Sequence, residues 1–287
     1  MTTQTGKLYV VATPIGNLAD LSPRAVEILK SVALILAEDT RHSKPLLQHF
    51  GVHTRMESCH EHNERDKSLD VLRKLALGES CALISDAGTP VFSDPGATIV
   101  NAVLAAGYVV IPVPGPCAAI AALSASGFEG VPFHFYGFLP AQVAAKRKYL
   151  EGLCKNISGT LCFYESPHRL LDTLEVLQHI WGEDKEIVLA KEITKLYEQV
   201  LKKRMVEILL WLREDPKRQQ GEFVILFENS AQQVNHLQVT LEVDALLQSL
   251  MSSMKLKEAV ALLANLSHLP KNALYERALI LKGEGLK

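Results

Sequence analysis

The 287-residue chain sets 30 Lys and Arg against 32 Asp and Glu, a net charge of −2, with 48% apolar and 22% charged residues. That balance excludes a disordered chain, and it excludes a protein drawn to nucleic acid by overall charge, so any such contact has to be a local patch. Five scattered cysteines without a CxxC pair exclude a disulfide framework and suit a reducing cytoplasm.

The polar start MTTQTGK does not read as a secretory leader. Continuous apolar runs at 8–12, 33–37, 81–84 and 109–113 predict buried strands, with helical periodicity between them at 22–31, 64–77 and 96–106. Apolar strands separated by helices predict a largely parallel sheet covered on both faces. Residues 95–128 contain no Asp, Glu, Lys or Arg, enough length to cross a bilayer, but Pro112, Pro114, Gly115 and Pro116 interrupt them. The expectation is a helix, a strand, a turn and a helix inside a core, and no membrane segment. A second set follows, with strands at 133–137, 160–164, 186–190, 197–201 and 222–228 and helices at 143–154, 167–181 and 205–214. Residues 229–240 read as a polar linker, and 241–251, 255–266 and 270–282 as three helices whose SHLPKNALYERAL corner resembles a helix-turn-helix. The predicted fold class is α/β, with an N-terminal α/β domain over 1–117, a second α/β domain over 118–235 and a small helical tail domain over 236–287.

In open α/β sheets ligands lie beyond the carboxyl ends of the strands. Four strands of the first set run there into loops rich in Gly and Pro: TPIGN (13–17), EDTRHS (38–43), SDAGTPVFSDPG (85–96) and PGPCAA (114–119). Any one of these fits an ordinary tight turn, whereas four on one sheet edge suggest a binding site. No GxxxxGK[ST] and no GxGxxG is present, and Arg41 is the main cation of the loops. That is too little positive charge for a triphosphate. A ligand held through backbone amides with a neutral or cationic reactive centre fits better, and S-adenosylmethionine has those properties.

The segments TPIGN, AEDTRHS, HEHNE, SDAGTPVFSDPG, VPGPCAAIAALSASG, GFLP, FYESPHR and KEITKLYE together resemble the 16S ribosomal RNA small subunit methyltransferase I family, within the tetrapyrrole-methylase-like class III superfamily. The match spans roughly 7–228, and the helical tail is similar as well. The resemblance implies two α/β domains of tetrapyrrole methylase type with a ligand cleft between them. It implies methyl transfer from S-adenosylmethionine to the ribose 2'-hydroxyl of a decoding-centre cytidine in 16S rRNA. The 30S subunit is then the partner, and the protein a homodimer without metal. It maps the donor site onto Pro14, Asp86, Ala87, Gly88, Val91, Cys117, Ala118, Tyr164 and Glu165 and onto the turn at 221–223, which begins with Gly221. In the tetrapyrrole branch the segment matching SDAGTP reads more like G-G-D-P, so Asp86 and Gly88 stand here in swapped order.

A ribose hydroxyl is weakly acidic and gains from a nearby base or cation. The expected catalytic groups are Asp39, Arg41, Glu165, Lys191 and Glu192, with Glu38 beside them. His62, Asn63 and Glu64 of CHEHNE are expected to reach substrate from a helix start, in preference to a zinc site with Cys59 and His60, for which no second ligand pair is spaced. Phe138 offers a stacking face, and Lys146, Arg147 and Lys148 a basic cluster for phosphates; a family lysine two residues after GFLP is replaced here by Gln142. In the tail, Lys255, Lys257, Lys271 and Arg277 are candidates for one RNA-facing surface. Two alternatives share these residues: a methyltransferase for tetrapyrroles or another small molecule, and a non-catalytic RNA-binding assembly module.

Overall fold

Buried side chains at every position of two four-residue runs require a sheet covered on both faces, and the computed structural model has one. It describes residues 6–60, 63–130, 132–230, 236–267 and 271–282. These fall into two units, Met1–Glu151 with Ser158–Asn229, and Gly152–Ile157 with Ser230–Lys287.

The larger unit begins with strands β1 (Lys7–Val11), β2 (Leu34–Ala37), β3 (Met56–Ser58), β4 (Cys81–Ile84) and β5 (Val109–Val113). They form a sheet of order β3-β2-β4-β1-β5 with every neighbouring pair parallel. Helices α1 (Pro23–Ser31), α2 (Thr40–His49), α3 (Glu64–Ala76) and α4 (Ala97–Ala105) join them. On one face Ile35, Ala82 and Ile84 pack with Ala25, Leu29 and Leu47; on the other Leu34, Leu36 and Leu83 pack with Val71, Leu75, Ile99 and Val103. Helix α2 and strand β3 lie outside the predicted elements. The polar TRHSKP and the internal Pro45 hide the period of α2, whose first turn Asp39 caps by accepting from Arg41 N at 2.8 Å.

The start of α4 has no capping side chain of its own, since Gly96 stands there with φ +127°. Glu64, from the first turn of α3, supplies one: its two carboxylate oxygens accept from Gly96 N at 2.7 Å and Thr98 N at 3.0 Å. Glu64 is buried in this task, which corrects its expected contact with substrate. Two free N–H groups at a helix start, favouring negative charge, are the physical reason.

The same unit continues with α5 (Ala118–Ser124), β6 (Phe133–Phe138), α6 (Val143–Asn156, of which the residues from Gly152 on are grouped with the smaller unit), β7 (Gly159–Glu165), α7 (Leu170–Trp181), β8 (Glu186–Lys191), β9 (Gln199–Arg204), α8 (Met205–Glu214) and β10 (Phe223–Asn229). The second sheet has the order β6-β7-β10-β8-β9; only β6 with β7 is parallel. Its edge strand β9 starts at Gln199 rather than 197, because Glu198 N closes a turn on Lys195 O at 3.1 Å.

In the smaller unit α9 (His236–Ser253), α10 (Leu256–Ser267) and α11 (Lys271–Leu281) surround Leu247, Val260, Leu263, Leu274 and Ala278. Helix α9 takes in 236–240 of the expected linker. Arg277 is bound to Asp244 by two hydrogen bonds, at 2.8 and 2.5 Å, which tie α11 to α9. Among the described residues no helix is long and apolar enough to cross a membrane.

Replacing Glu64 with Ala removes two charge-assisted bonds from α4. The expected loss is about 1–2 kcal/mol of stability, seen as a lower urea midpoint with an unchanged m-value. An unaltered midpoint contradicts the cap.

Candidate active site

The loops beyond the carboxyl ends of β1, β4 and β5 meet loops of the second sheet around a cavity of about 320 Å³, inside the size range of small-molecule sites. The first half contributes Ile15, Ala87–Thr89, Phe92–Asp94, Cys117 and Ala118; the second contributes Phe138, Tyr164–Pro167, Ile193 and Glu222–Val224.

Several contacts shape the segment after β4. Thr13 and Gly88 exchange backbone hydrogen bonds of 2.8 and 3.1 Å. Gly88 has φ +87°, and a Cβ there would lie 3.3 Å from Ile15 and 3.7 Å from the Pro116 carbonyl. The Ser85 hydroxyl donates to Gly88 O at 3.2 Å and that of Thr89 to Pro116 O at 3.0 Å. Val91 and Ser93 follow with φ of 72° and 70°, conformations that side chains resist and that persist where the surroundings enforce them. The enforcement is visible: Phe92 stacks on Phe135 of β6 at 4.0 Å, and Ser93 Oγ presses on Gly137, where a Cβ would be 2.9 Å away.

On the opposite wall the Tyr164 hydroxyl accepts from Ala119 N at 3.2 Å, and the exposed Phe138 ring meets Tyr164 edge-on at 5.7 Å. Glu165, buried, accepts from Ser166 N at 2.8 Å and from Thr173 Oγ1 at 2.6 Å, and it pairs with Arg169 at 3.2 Å. Lys146 is 1% exposed and belongs to this cluster, donating to Thr173 Oγ1 at 2.6 Å with its ammonium 3.9 Å from Glu165. Burial pushes the Lys146 pKa down while Glu165 pulls the other way. Lys146 is therefore corrected from a phosphate contact to an internal charge, a role forced by its turn of α6 facing inward. Arg147 and Lys148 do stand in solvent.

Lys191 is corrected as well. Its ammonium donates to the Lys217 and Arg218 carbonyls at 2.9 and 3.1 Å, tying β8 to the turn before β10. Glu192, at φ 51°, accepts from Glu222 N at 2.9 Å and Lys195 at 3.1 Å and packs on Gly221, where a Cβ would be 2.7 Å from its carboxylate. Asp39 and Arg41 pair at 2.8 Å, and the guanidinium pulls the Asp39 carboxyl down to about 2. Asp86 accepts from Asp39 N at 3.1 Å. Pro14, Asp86, Val91 and Gly221 are not among the described lining of the cavity, whereas Ala87, Gly88, Cys117, Ala118, Tyr164, Glu165 and Phe138 line it. His62 lies outside the described residues. Asn63 accepts from His60 N at 2.9 Å and donates to Ser58 O at 3.1 Å, holding its own loop.

The expected set omits Asp94, Ser166 and Ile193. Asp94 sits in an SDPG string that reads as a turn, and no local signal turns it inward. The described lining includes Asp94, Glu165 and Glu222 and no Lys, Arg or His, which suits a neutral or cationic ligand and opposes a phosphate.

A family model described as Tetrapyrrole (Corrin/Porphyrin) Methylases matches residues 7–209, and one described as RsmI C-terminal HTH domain matches residues 238–282. The chain is 47% identical over 279 residues to ribosomal RNA small subunit methyltransferase I of Escherichia coli O157:H7, covering 97% of this chain and 96% of that one. It is 45% identical to the protein of the same name from Pseudomonas aeruginosa, over 97% and 99% of the two chains. Among solved structures, uroporphyrin-III-C-methyltransferase from Thermus thermophilus shares the fold with a TM-score of 0.55 at 19% identity, over 81% of this chain and 98% of that one.

Lys146→Ala strips a buried carboxylate of one counter-charge and empties its stem's packing, with an expected cost of about 3 kcal/mol or more. Arg147→Ala is expected within about 0.5 kcal/mol of wild type. Equal denaturation midpoints for the two variants contradict the internal role of Lys146.

Proposed function

We propose, from the premise that this chain belongs to the tetrapyrrole methylase family and within it to the ribosomal RNA small subunit methyltransferase I family, that it moves a methyl group from S-adenosylmethionine to the ribose 2'-hydroxyl of a decoding-centre cytidine in 16S rRNA. The observation that carries this reading is the cavity, whose described lining is largely loop backbone and apolar side chains, with carboxylates and without cations. Such a lining fits a sulfonium donor. The donor supplies an electrophilic methyl group, and what the reaction asks of the protein is alignment of oxygen, carbon and sulfur.

In this reading Ala87, Gly88, Cys117, Ala118 and Tyr164 hold the donor. Pro14, Asp86, Val91 and Gly221 keep the loops behind it in shape, and Glu192 braces Gly221. Phe138 offers a face for a base, and Arg41, Arg147 and Lys148 meet phosphates. The tail adds a cavity lined by Lys255, Lys257 and Lys282 beside Tyr275, which supports contact with an RNA backbone. The reading extends to a cytoplasmic homodimer acting on the 30S subunit, with functional divisions at 1–117, 118–235 and 236–287. The rival, methylation of a tetrapyrrole, draws on the fold of the Thermus thermophilus enzyme; the helical tail and its lysines favour RNA.

Offered 30S subunits lacking the modification, or uroporphyrinogen, with labelled donor, the protein is expected to label only the RNA; label on uroporphyrinogen alone reverses the assignment. Gly88→Leu is expected to weaken donor binding by about a hundredfold, about 2.7 kcal/mol in calorimetry, because its side chain enters the cavity wall. Replacing Lys255 and Lys257 together by Ala should flatten the salt dependence of 30S binding by about two units of slope.

A further inference from the structure

Methyl transfer to a ribose hydroxyl, the reading this inference rests on, leaves a proton to be removed. Among the described residues five titratable side chains line the cavity: Asp94, Cys117, Tyr164, Glu165 and Glu222. Glu165 is saturated by Arg169, Thr173, Ser166 and the nearby Lys146. Glu222 is mostly in solvent and pairs with Lys195 at 3.0 Å. The Tyr164 hydroxyl already accepts from Ala119 N, and burial pushes its pKa up, so it keeps its proton. The Cys117 thiol is a weak acceptor for a hydroxyl.

Asp94 is placed differently. Among the described residues no ion pair includes it, and the Ser85 hydroxyl, which donates to Gly88 O, is near enough to favour its charged form. Although it stands just before α4, it is not spent as that helix's cap, because Glu64 takes the N–H groups of Gly96 and Thr98. It is held in the cavity wall by the segment that Val91 and Ser93 turn and Phe92 pins. Among the described residues the charged groups that act on it or share the cavity are acidic: Glu38 beyond β2, Asp86 beyond β4, and Glu165 and Glu222 across the cavity. Burial first, then Glu38 and Asp86, opposed by the Ser85 hydroxyl, push its carboxyl up to about 6. A carboxylate of that strength is ionised at neutral pH and is a better base than an ordinary Asp.

We infer that Asp94 is the general base of methyl transfer, taking the proton of the ribose hydroxyl that enters the donor cavity. The Asp94 carboxylate accepts the proton as the hydroxyl oxygen forms its bond to the methyl carbon. The carbon–sulfur bond breaks with its electron pair left on sulfur, the sulfonium becomes a neutral thioether, and the Asp94 carboxylic acid then releases its proton to water.

The test uses the full-length protein and Asp94→Asn. Donor affinity by calorimetry is expected to fall by less than about tenfold, the loss of one cavity carboxylate, and retained binding also shows that the variant folds. The single-turnover rate on 30S subunits is expected to fall by about a hundredfold or more near neutral pH. The wild-type rate should drop about tenfold per pH unit below about 6, and the variant should lose that inflection. A readout without turnover accompanies it. The folded protein holds a proton on Asp94 that the unfolded chain, with a carboxyl near 3.8, releases. Wild-type melting temperature should therefore decline as pH rises from about 4 through 6 by a component that the variant lacks. A variant with the wild-type rate or the wild-type pH inflection overturns the inference. So does a loss of donor affinity beyond about tenfold, which makes Asp94 a donor contact. Wild-type protein that binds donor but leaves 30S subunits unmethylated overturns the substrate reading, and this inference with it.

Discussion

Two backbone N–H groups at the start of α4, those of Gly96 and Thr98, donate to the one carboxylate of Glu64, and the cavity depends on that arrangement. Charge-assisted bonds to helix-start amides are among the stronger hydrogen bonds available. They fix the far end of the segment that begins at β4. Its near end is fixed by the reciprocal Thr13–Gly88 pair, and its middle by Phe92 against Phe135 of the other sheet. Held at three points, the segment tolerates Val91 and Ser93 in conformations they would not adopt alone. Because α4 is capped from outside, the acids of the segment itself stay available for chemistry.

The wall contributed by the second sheet follows the opposite design. There a buried carboxylate, Glu165, is surrounded by Arg169, Lys146 and the Thr173 hydroxyl. Taking such charges out of water costs several kcal/mol per ion, which the pairing at best offsets. What the cluster provides is geometry: it joins β7, α6 and α7 at the point where Tyr164, Ser166 and Pro167 face the cavity. One wall is therefore set by helix capping and stacking, the other by ion pairing.

Much of the scaffold is legible in the order of residues, since β1, β2, β4 and β5 announce themselves as continuous apolar runs and α1, α3 and α4 as periodic ones. Helix α2 does not, because its signal is a cap at Asp39 followed by polar residues and Pro45. The glycine loops are legible as a site because only glycine takes up conformations such as that of Gly88 freely. The charged residues are the harder case. Glu64 and Lys146 look like surface groups until partners 32 and 27 positions away arrive beside them. Lys191 likewise reads as a base after a strand, yet it ends on two carbonyls 26 and 27 positions away. Asp94 is hidden for the converse reason, since a turn motif gives no indication of which way its carboxylate faces.

The position of β1 also bears on how the chain is made. It precedes every other described strand along the chain, and it lies between β4 and β5, with Leu8 opposite Cys81 on one side and Val110 on the other. Closing such distant parallel pairs is entropically slow, and a chain that emerges from its N terminus offers β1 no partner until β4 exists. Strand β1, between β4 and the edge strand β5, thus waits longest, relative to its birth, for both its neighbours. Thr13, just past it, cannot meet Gly88 any sooner, so the loop after β4 takes shape only when translation is well beyond it.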